Sequence, residues 1–172
     1  MLSIWEKQSF LTYDYIVIGS GIVGLSTAIS IKEKNKRASV LVLERGILPT
    51  GASTKNAGFA CFGSFSELLV DCQIMGEDAA FQLVKDRWEG LMKLRERLGD
   101  GNIQFENYGG YEILSKGEEG ILDQLHYVNN VLKTLFKKDV FVEDKRLIST
   151  FGLNPSKAAT IISNPFEGQL DS

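Results

Sequence analysis

The stretch Tyr15-Ile16-Val17-Ile18-Gly19-Ser20-Gly21-Ile22-Val23-Gly24 decides the reading of this chain. Its first four residues are apolar and rich in β-branching, the pattern of a short strand buried on both faces, and the run stops at glycine. Gly19, Gly21 and Gly24 then fall on the spacing G-x-G-x-x-G, and the segment through Lys34 carries apolar residues at Val23, Ala28, Ile29 and Ile31, as a helix does. A second strand is expected over 39–43. It closes on Glu44, twenty residues beyond Gly24, the separation at which an acid meets a ribose in dinucleotide-binding folds. A bare glycine motif is a weak signal, but strand, glycines, helix, strand and acid in this order predict a βαβ unit of Rossmann type.

Each residue type answers a physical need. Gly19 permits a tight turn out of the strand, Gly21 lets backbone amides approach a pyrophosphate with no Cβ in the way, and Gly24 lets the helix pack close to the strand. Ser20, Ile22 and Val23 complete the helix N-terminus, whose unpaired N–H groups and positive dipole end favour an anion. Glu44 is placed to accept hydrogen bonds from ribose hydroxyls, and its charge disfavours the extra phosphate of NADP.

Composition bounds the rest. A chain of 172 residues with 44% hydrophobic and 24% charged residues can form a substantial core, as one domain or one domain and part of another. The net charge of −3 implies no basic surface for nucleic acid, and the basic run 32–37 reads as a solvated helix end. Cys61 and Cys72 have neither disulfide-framework nor zinc spacing and read as buried reduced thiols. His126, the single histidine, reads as a helix-surface residue, so no metal site is expected. The residues before Asp14 lack the apolar core of a signal peptide, and the uncharged run 15–31 contains three glycines and four Ser or Thr residues, so no transmembrane segment is expected. These features point to a cytoplasmic protein.

A second stretch comes after Arg45: Gly51-Ala52-Ser53-Thr54-Lys55-Asn56-Ala57-Gly58. Small residues with amide and hydroxyl donors suit a segment lying against a flat or phosphorylated ligand, though on composition alone a surface loop fits as well. Taken together, the two stretches resemble the FAD-dependent oxidoreductases of the D-amino-acid oxidase family, which includes glycine oxidase, sarcosine oxidase and D-amino-acid dehydrogenases. The resemblance implies FAD as cofactor, held noncovalently. By it, Gly19, Gly21 and Gly24 support the pyrophosphate, Glu44 and Arg45 hold the adenosine, Ser53 and Thr54 return to the phosphates, and Asn56, Ala57 and Gly58 lie along the ribityl chain toward the flavin ring.

Downstream, 62–98 reads as helical, with Phe81, Val84, Trp88, Leu91 and Leu98 forming one apolar face that stops at Gly99. The segment 108–114 reads as a turn or bulge leading into a strand. A further amphipathic helix carries Ile121, Leu125, Val128, Leu132 and Leu135, short strands are expected at 140–142 and 159–162, and 166–172 reads as a polar turn. No βαβ repeat is visible after Leu43. The expected organisation is therefore the first part of an FAD-binding domain over 11–61, a helical segment over 62–101 and part of an α+β substrate domain over 102–172. Tyr108 and Tyr111 could reach a substrate, although tyrosines at strand starts more often half-bury a ring and leave the hydroxyl wet.

The fold class expected is α/β, an incomplete Rossmann-type unit followed by part of an α+β domain. Two parallel strands and one crossover helix leave sheet faces and edges uncovered, so the chain is expected to be the N-terminal part of the family's architecture and to need a C-terminal complement. The function implied is oxidation of an amine or amino acid by hydride transfer from its α-carbon to flavin, with no catalytic residue identifiable here. Three alternatives stay open: an FAD-dependent 2-hydroxy-acid or glycerol-phosphate dehydrogenase, an NAD-dependent dehydrogenase disfavoured by 51–58, and a non-catalytic or split-protein remnant.

Overall fold

The chain folds as two units, residues 1–57 and 58–171, in a computed structural model that describes Met1 and residues 3–171. The first unit opens with a helix, α1 (Ile4–Leu11), started by a capping box in which Ser3 Oγ accepts the Glu6 amide and the Glu6 carboxylate accepts the Ser3 amide. Strand β1 (Tyr15–Ile18), helix α2 (Ile22–Lys34) and strand β2 (Val40–Leu43) then form the expected parallel βαβ unit, paired from Tyr15↔Val40 to Ile18↔Leu43. Asp14 fixes that register. Its carboxylate accepts both the amide (2.8 Å) and the hydroxyl (2.9 Å) of Ser39, and its own amide donates to Ser39 Oγ (2.9 Å). At the far end of α2, Lys32 Nζ donates to the carbonyls of Lys36 and Ala38, the solvated helix end read from the sequence.

One expectation for this unit fails. Strand β1 is not buried on both faces: Ile18 is 87% exposed, and Tyr15 and Ile16 are exposed as well. A single neighbouring strand and a single helix cover only part of a parallel sheet, and the apolar residues selected for a covered strand are left facing outward.

In the second unit, strand β3 (Phe59–Ala60) leads to helices α3 (Phe65–Met75) and α4 (Glu77–Leu98). The stretch read as one helical segment from residue 62 thus begins at Phe65, behind a second capping box of Ser64 with Glu67, and breaks at Gly76, whose φ of 86° no ordinary helical residue adopts. Val84 and Leu91 of α4 are buried and Trp88 packs against the core, as expected, but Leu98 at the helix end is 41% exposed. Strand β4 (Gly110–Ser115), helix α5 (Leu125–Phe136), strand β5 (Val142–Glu143), helix α6 (Arg146–Thr150), strand β6 (Ala158–Asn164) and strand β7 (Gly168–Gln169) complete the unit. The sheet order is β4-β6-β5, antiparallel throughout, and β7 pairs antiparallel with β3, so part of the terminal stretch read as a turn is a strand.

Helices α3, α4 and α5 and this sheet share one core, while Ile148 of α6 packs with Ala158 and Ile161 of β6 in a second, smaller cluster. Phe62, Trp88, Phe136 and Phe166 interlock at centroid distances of 4.8–5.9 Å. Buried Asn129 closes the loop after α5 by accepting the Val140 and Phe141 amides on Oδ1 and donating Nδ2 to the Phe141 carbonyl. Both cysteines are free thiols as expected, yet neither is buried: Cys61 is exposed and Cys72 half-buried. His126 is exposed on α5. Among the described residues no cluster of metal-ligating side chains exists and no helix is long and apolar enough to cross a membrane.

Candidate cofactor-binding site

The βα turn of the first unit is built around a close approach. A Cβ on Gly24 would collide with the carbonyl oxygen of Gly19, so the first turn of α2 lies directly against the end of β1 and only glycine fits. This fixes the helix start at the strand's end. Gly21 is the N-cap with no side-chain cap, leaving the first amides of a 13-residue helix to other partners.

Two of those partners come from residues singled out in the sequence. Ser53, in a short 3-10 turn over Ala52–Thr54, brings its Oγ to 2.9 Å from the Ile22 amide, where it accepts that hydrogen bond. A Cβ on Gly21 would stand 3.0 Å from the same Oγ. Glu44, at the end of β2, accepts the Ser20 amide and the Ser20 hydroxyl on Oε2, each at 2.9 Å, and the Gly46 amide on Oε1 at 3.2 Å. The Ser20 amide first, then the Gly46 amide and the Ser20 hydroxyl, hold this carboxyl down to about 2, so it is a full anion at neutral pH.

The acid therefore has a task that spacing alone does not reveal: it braces the glycine turn. The amides of Gly21 and Val23 make no hydrogen bond among the described residues, and Ile22 and Val23 are exposed. Unspent donors at a helix N-terminus, with no Cβ at Gly21 to fend off a ligand, fit a dinucleotide's pyrophosphate.

The remaining candidates are placed less uniformly. Thr54 Oγ1 turns inward on its own loop, donating to the Pro49 and Gly51 carbonyls, and Asn56 Nδ2 donates to the Ser53 carbonyl, so both shape the 51–58 segment. Arg45 and Ala57 are exposed. Gly58 belongs to the second unit, where its carbonyl accepts the Leu170 amide at 2.8 Å. Tyr108 and Tyr111 are exposed in that unit too, with Tyr111 packed edge-on against Phe151 at 5.1 Å.

A parallel βαβ unit with a glycine turn at an open helix N-terminus defines a dinucleotide-binding protein. The family model described as FAD dependent oxidoreductase matches residues 14–150, and the chain belongs to that family, whose cofactor is FAD. The chain is 30% identical over 132 residues to the probable oxidoreductase OrdL of Haemophilus influenzae, a match covering 77% of this chain and 30% of that protein. In fold it is similar to glycine oxidases from Bacillus cereus ATCC 14579 (TM-score 0.54, 20% identity) and Geobacillus kaustophilus (TM-score 0.54, 21% identity). Both similarities span 92% of this chain but only 41% and 40% of those chains.

Proposed function

We propose that this chain forms the dinucleotide-holding part of an FAD-dependent oxidoreductase that oxidises a small amine or amino acid, with 11–61 as the first part of the FAD-binding domain and 102–172 as part of a substrate domain. The observation that carries the reading is the turn at Gly19–Gly24: a helix packed so tightly on its strand that Gly24 is obligatory, with the Gly21 and Val23 amides unspent. In this reading those amides take the pyrophosphate, and the Ile22 amide joins them by exchanging Ser53 Oγ for a phosphate oxygen. Glu44 keeps the turn in shape and offers its remaining lone pairs to the ribose hydroxyls. Arg45, Ser53, Thr54, Asn56, Ala57 and Gly58 line the remainder of the cofactor's path. Bound FAD supplies a two-electron acceptor for a hydride from the substrate's α-carbon. The glycine oxidase neighbours support the amine or amino-acid class.

A complementary polypeptide belongs to this proposal. Two open troughs run along α2 on the first unit, one of about 680 Å³ lined by Tyr13, Ala28, Lys32, Ala38 and Val40, the other of about 530 Å³ lined by Ile22, Val23, Thr27 and Ile31. Both lie along apolar flanks that a fuller sheet and its helices would cover. Two free cysteines suit a reducing setting, and we keep the cytoplasm as the proposed location.

Flavin uptake tests the reading. The purified chain, incubated with FAD and freed of excess, should retain the yellow absorption at about 450 nm that marks a bound flavin, and Gly21→Val should lower its FAD affinity at least roughly tenfold by placing a branched side chain where the pyrophosphate lies. Retention of NAD in place of FAD, or equal FAD binding by the variant, would overturn it.

A further inference from the structure

Glu167 is the one acidic side chain buried among the described residues, 7% exposed, at the corner between β6 and β7. Its Oε1 accepts the Phe62 amide at 3.1 Å, and the neighbouring Gly63 amide also favours a charge on the carboxyl. Its carboxyl fills the space a Cβ would need at Gly110, so any side chain at the start of β4 would have to displace that carboxyl. Its carbonyl accepts the Gly109 amide at 2.9 Å. A single buried acid thus ties the end of the β3 segment, the start of β4 and the entry to β7 together.

The residues just after Glu167 extend this knot to the end of the 51–58 segment. Gly168–Gln169 pair with Phe59–Ala60, and the next amide, Leu170, donates to the carbonyl of Gly58. Gly58 in turn has a φ of 71° and its missing Cβ would strike the Leu170 carbonyl, so β7 clamps that segment at its last residue.

The clamp is built on a carboxyl with opposed influences. Beside it lies a cavity of about 90 Å³ lined by Ser64, Phe65, Tyr111, Glu112, Phe141 and Asn164. Asn164, 4% exposed, reaches toward Glu167 with its Nδ2 short of hydrogen-bond geometry with any partner. Of the charged groups around it, Glu67 on α3 and Glu112 on β4 oppose a negative charge, and Arg87 on α4, whose Nη1 donates to the Phe62 carbonyl, favours one; the Cys61 thiol after β3, itself pushed up by burial, adds no charge. Burial first and Glu67 second push this carboxyl up to about 7, against the pull of the Phe62 and Gly63 amides.

We propose that Glu167 is a proton-dependent positioning residue: neutral, it locks β7 against β3 and Gly58; ionised, it loosens that clamp and with it the end of the cofactor segment. The functional half rests on the reading of 51–58 as the segment that lies along the cofactor. Linkage sets the sign. A carboxyl raised to about 7 from an ordinary 4.5 gives stability that is fully present below about 4.5 and is lost as pH rises through about 7, because the opened form releases a proton the closed form retains.

Residue-resolved amide exchange on the full chain tests this at pH 5.5 and 8, read as protection relative to the intrinsic rate. In the wild type, protection at Phe62, Gly109 and Leu170 should fall roughly tenfold or more between the two, the factor that a shift of this size implies. Glu167→Gln, neutral at both, should show no fall, and Glu67→Gln should retain it. An unchanged wild type, or an equal fall in Glu167→Gln, overturns the proposal. Should Glu167→Gln not fold, the wild-type carboxyl carbon resonance decides: a midpoint near 7 shared with Leu170 protection supports the clamp, and one near 4.5 overturns it. None of these readings needs flavin, so failure to bind FAD is seen separately.

Discussion

At the residue scale, missing atoms matter as much as those present. Gly24→Ala forces a methyl into the Gly19 carbonyl, and the backbone must shift to accept it. Such overpacking costs about 1–3 kcal/mol, and a urea titration of the variant should show a loss of that size, where Gly51→Ala, facing open space, should not. Glu44 gives a pH signature. Its depressed carboxyl means the brace on Ser20 is fully present above about 4.5 and lost as pH falls through about 2, so the Ser20 amide resonance should titrate near 2. A midpoint near 4.5 would mean the brace is not formed. The type and position of these residues are legible in the sequence, because glycine spacing and an acid at a set distance are one-dimensional signals. That Glu44 binds the turn itself is not legible: the hydroxyl of Ser20 meets it only after β1 and β2 align.

At the scale of elements, periodicity and capping are the reliable guides. The βαβ unit, the apolar face of α4, helix α5 and the strands at β4 and β6 stand where alternation and 3.6-residue repeats put them, whereas Ile121 falls in a 3-10 turn ahead of α5 and the strand expected at 140–142 is the pair Val142–Glu143, because Asn129 holds the Val140 and Phe141 amides instead. Helix α1 escapes the periodicity reading although Ser3-x-x-Glu6 announces it, and the break at Gly76 is hidden because the apolar pattern runs on both sides of it. Strands β3 and β7 are two residues each and exist through pairing between distant segments, which no local pattern records. The loop after α5 depends on one buried amide. Asn129→Ala removes three hydrogen bonds to the backbone and strands their partners inside the core, so it should destabilise the second unit by about 2–4 kcal/mol. A measured loss under about 0.5 kcal/mol would show that the loop holds without it.

For the whole molecule, exposed apolar surface is concentrated where the nucleotide-binding fold is incomplete. Ile16, Ile18, Val23 and Leu43 face outward in the first unit, beside the open troughs along α2. The chain by itself should therefore bind a hydrophobic dye and associate weakly, and Ile18→Lys should reduce both while changing stability by no more than about 0.5 kcal/mol, since that side chain packs on little. Dye binding unaffected by the change would place the sticky surface elsewhere. The same incompleteness is why fold class is more legible than function: the chain spans about 30% of the oxidoreductase OrdL and about two-fifths of the glycine oxidases, while the glycine turn announces its ligand within a few residues.

If main-chain amides at the start of α2 receive FAD, they must respond to it. A titration of the isotopically labelled chain with FAD, read from its amide resonances, should give saturable shifts centred on Ser20, Gly21, Ile22 and Val23, with Ser53 and Glu44 moving in step as their hydrogen bonds rearrange. Shifts confined to other residues, or none at FAD concentrations that saturate flavin uptake, would contradict the assignment of this turn as the flavin dinucleotide's seat.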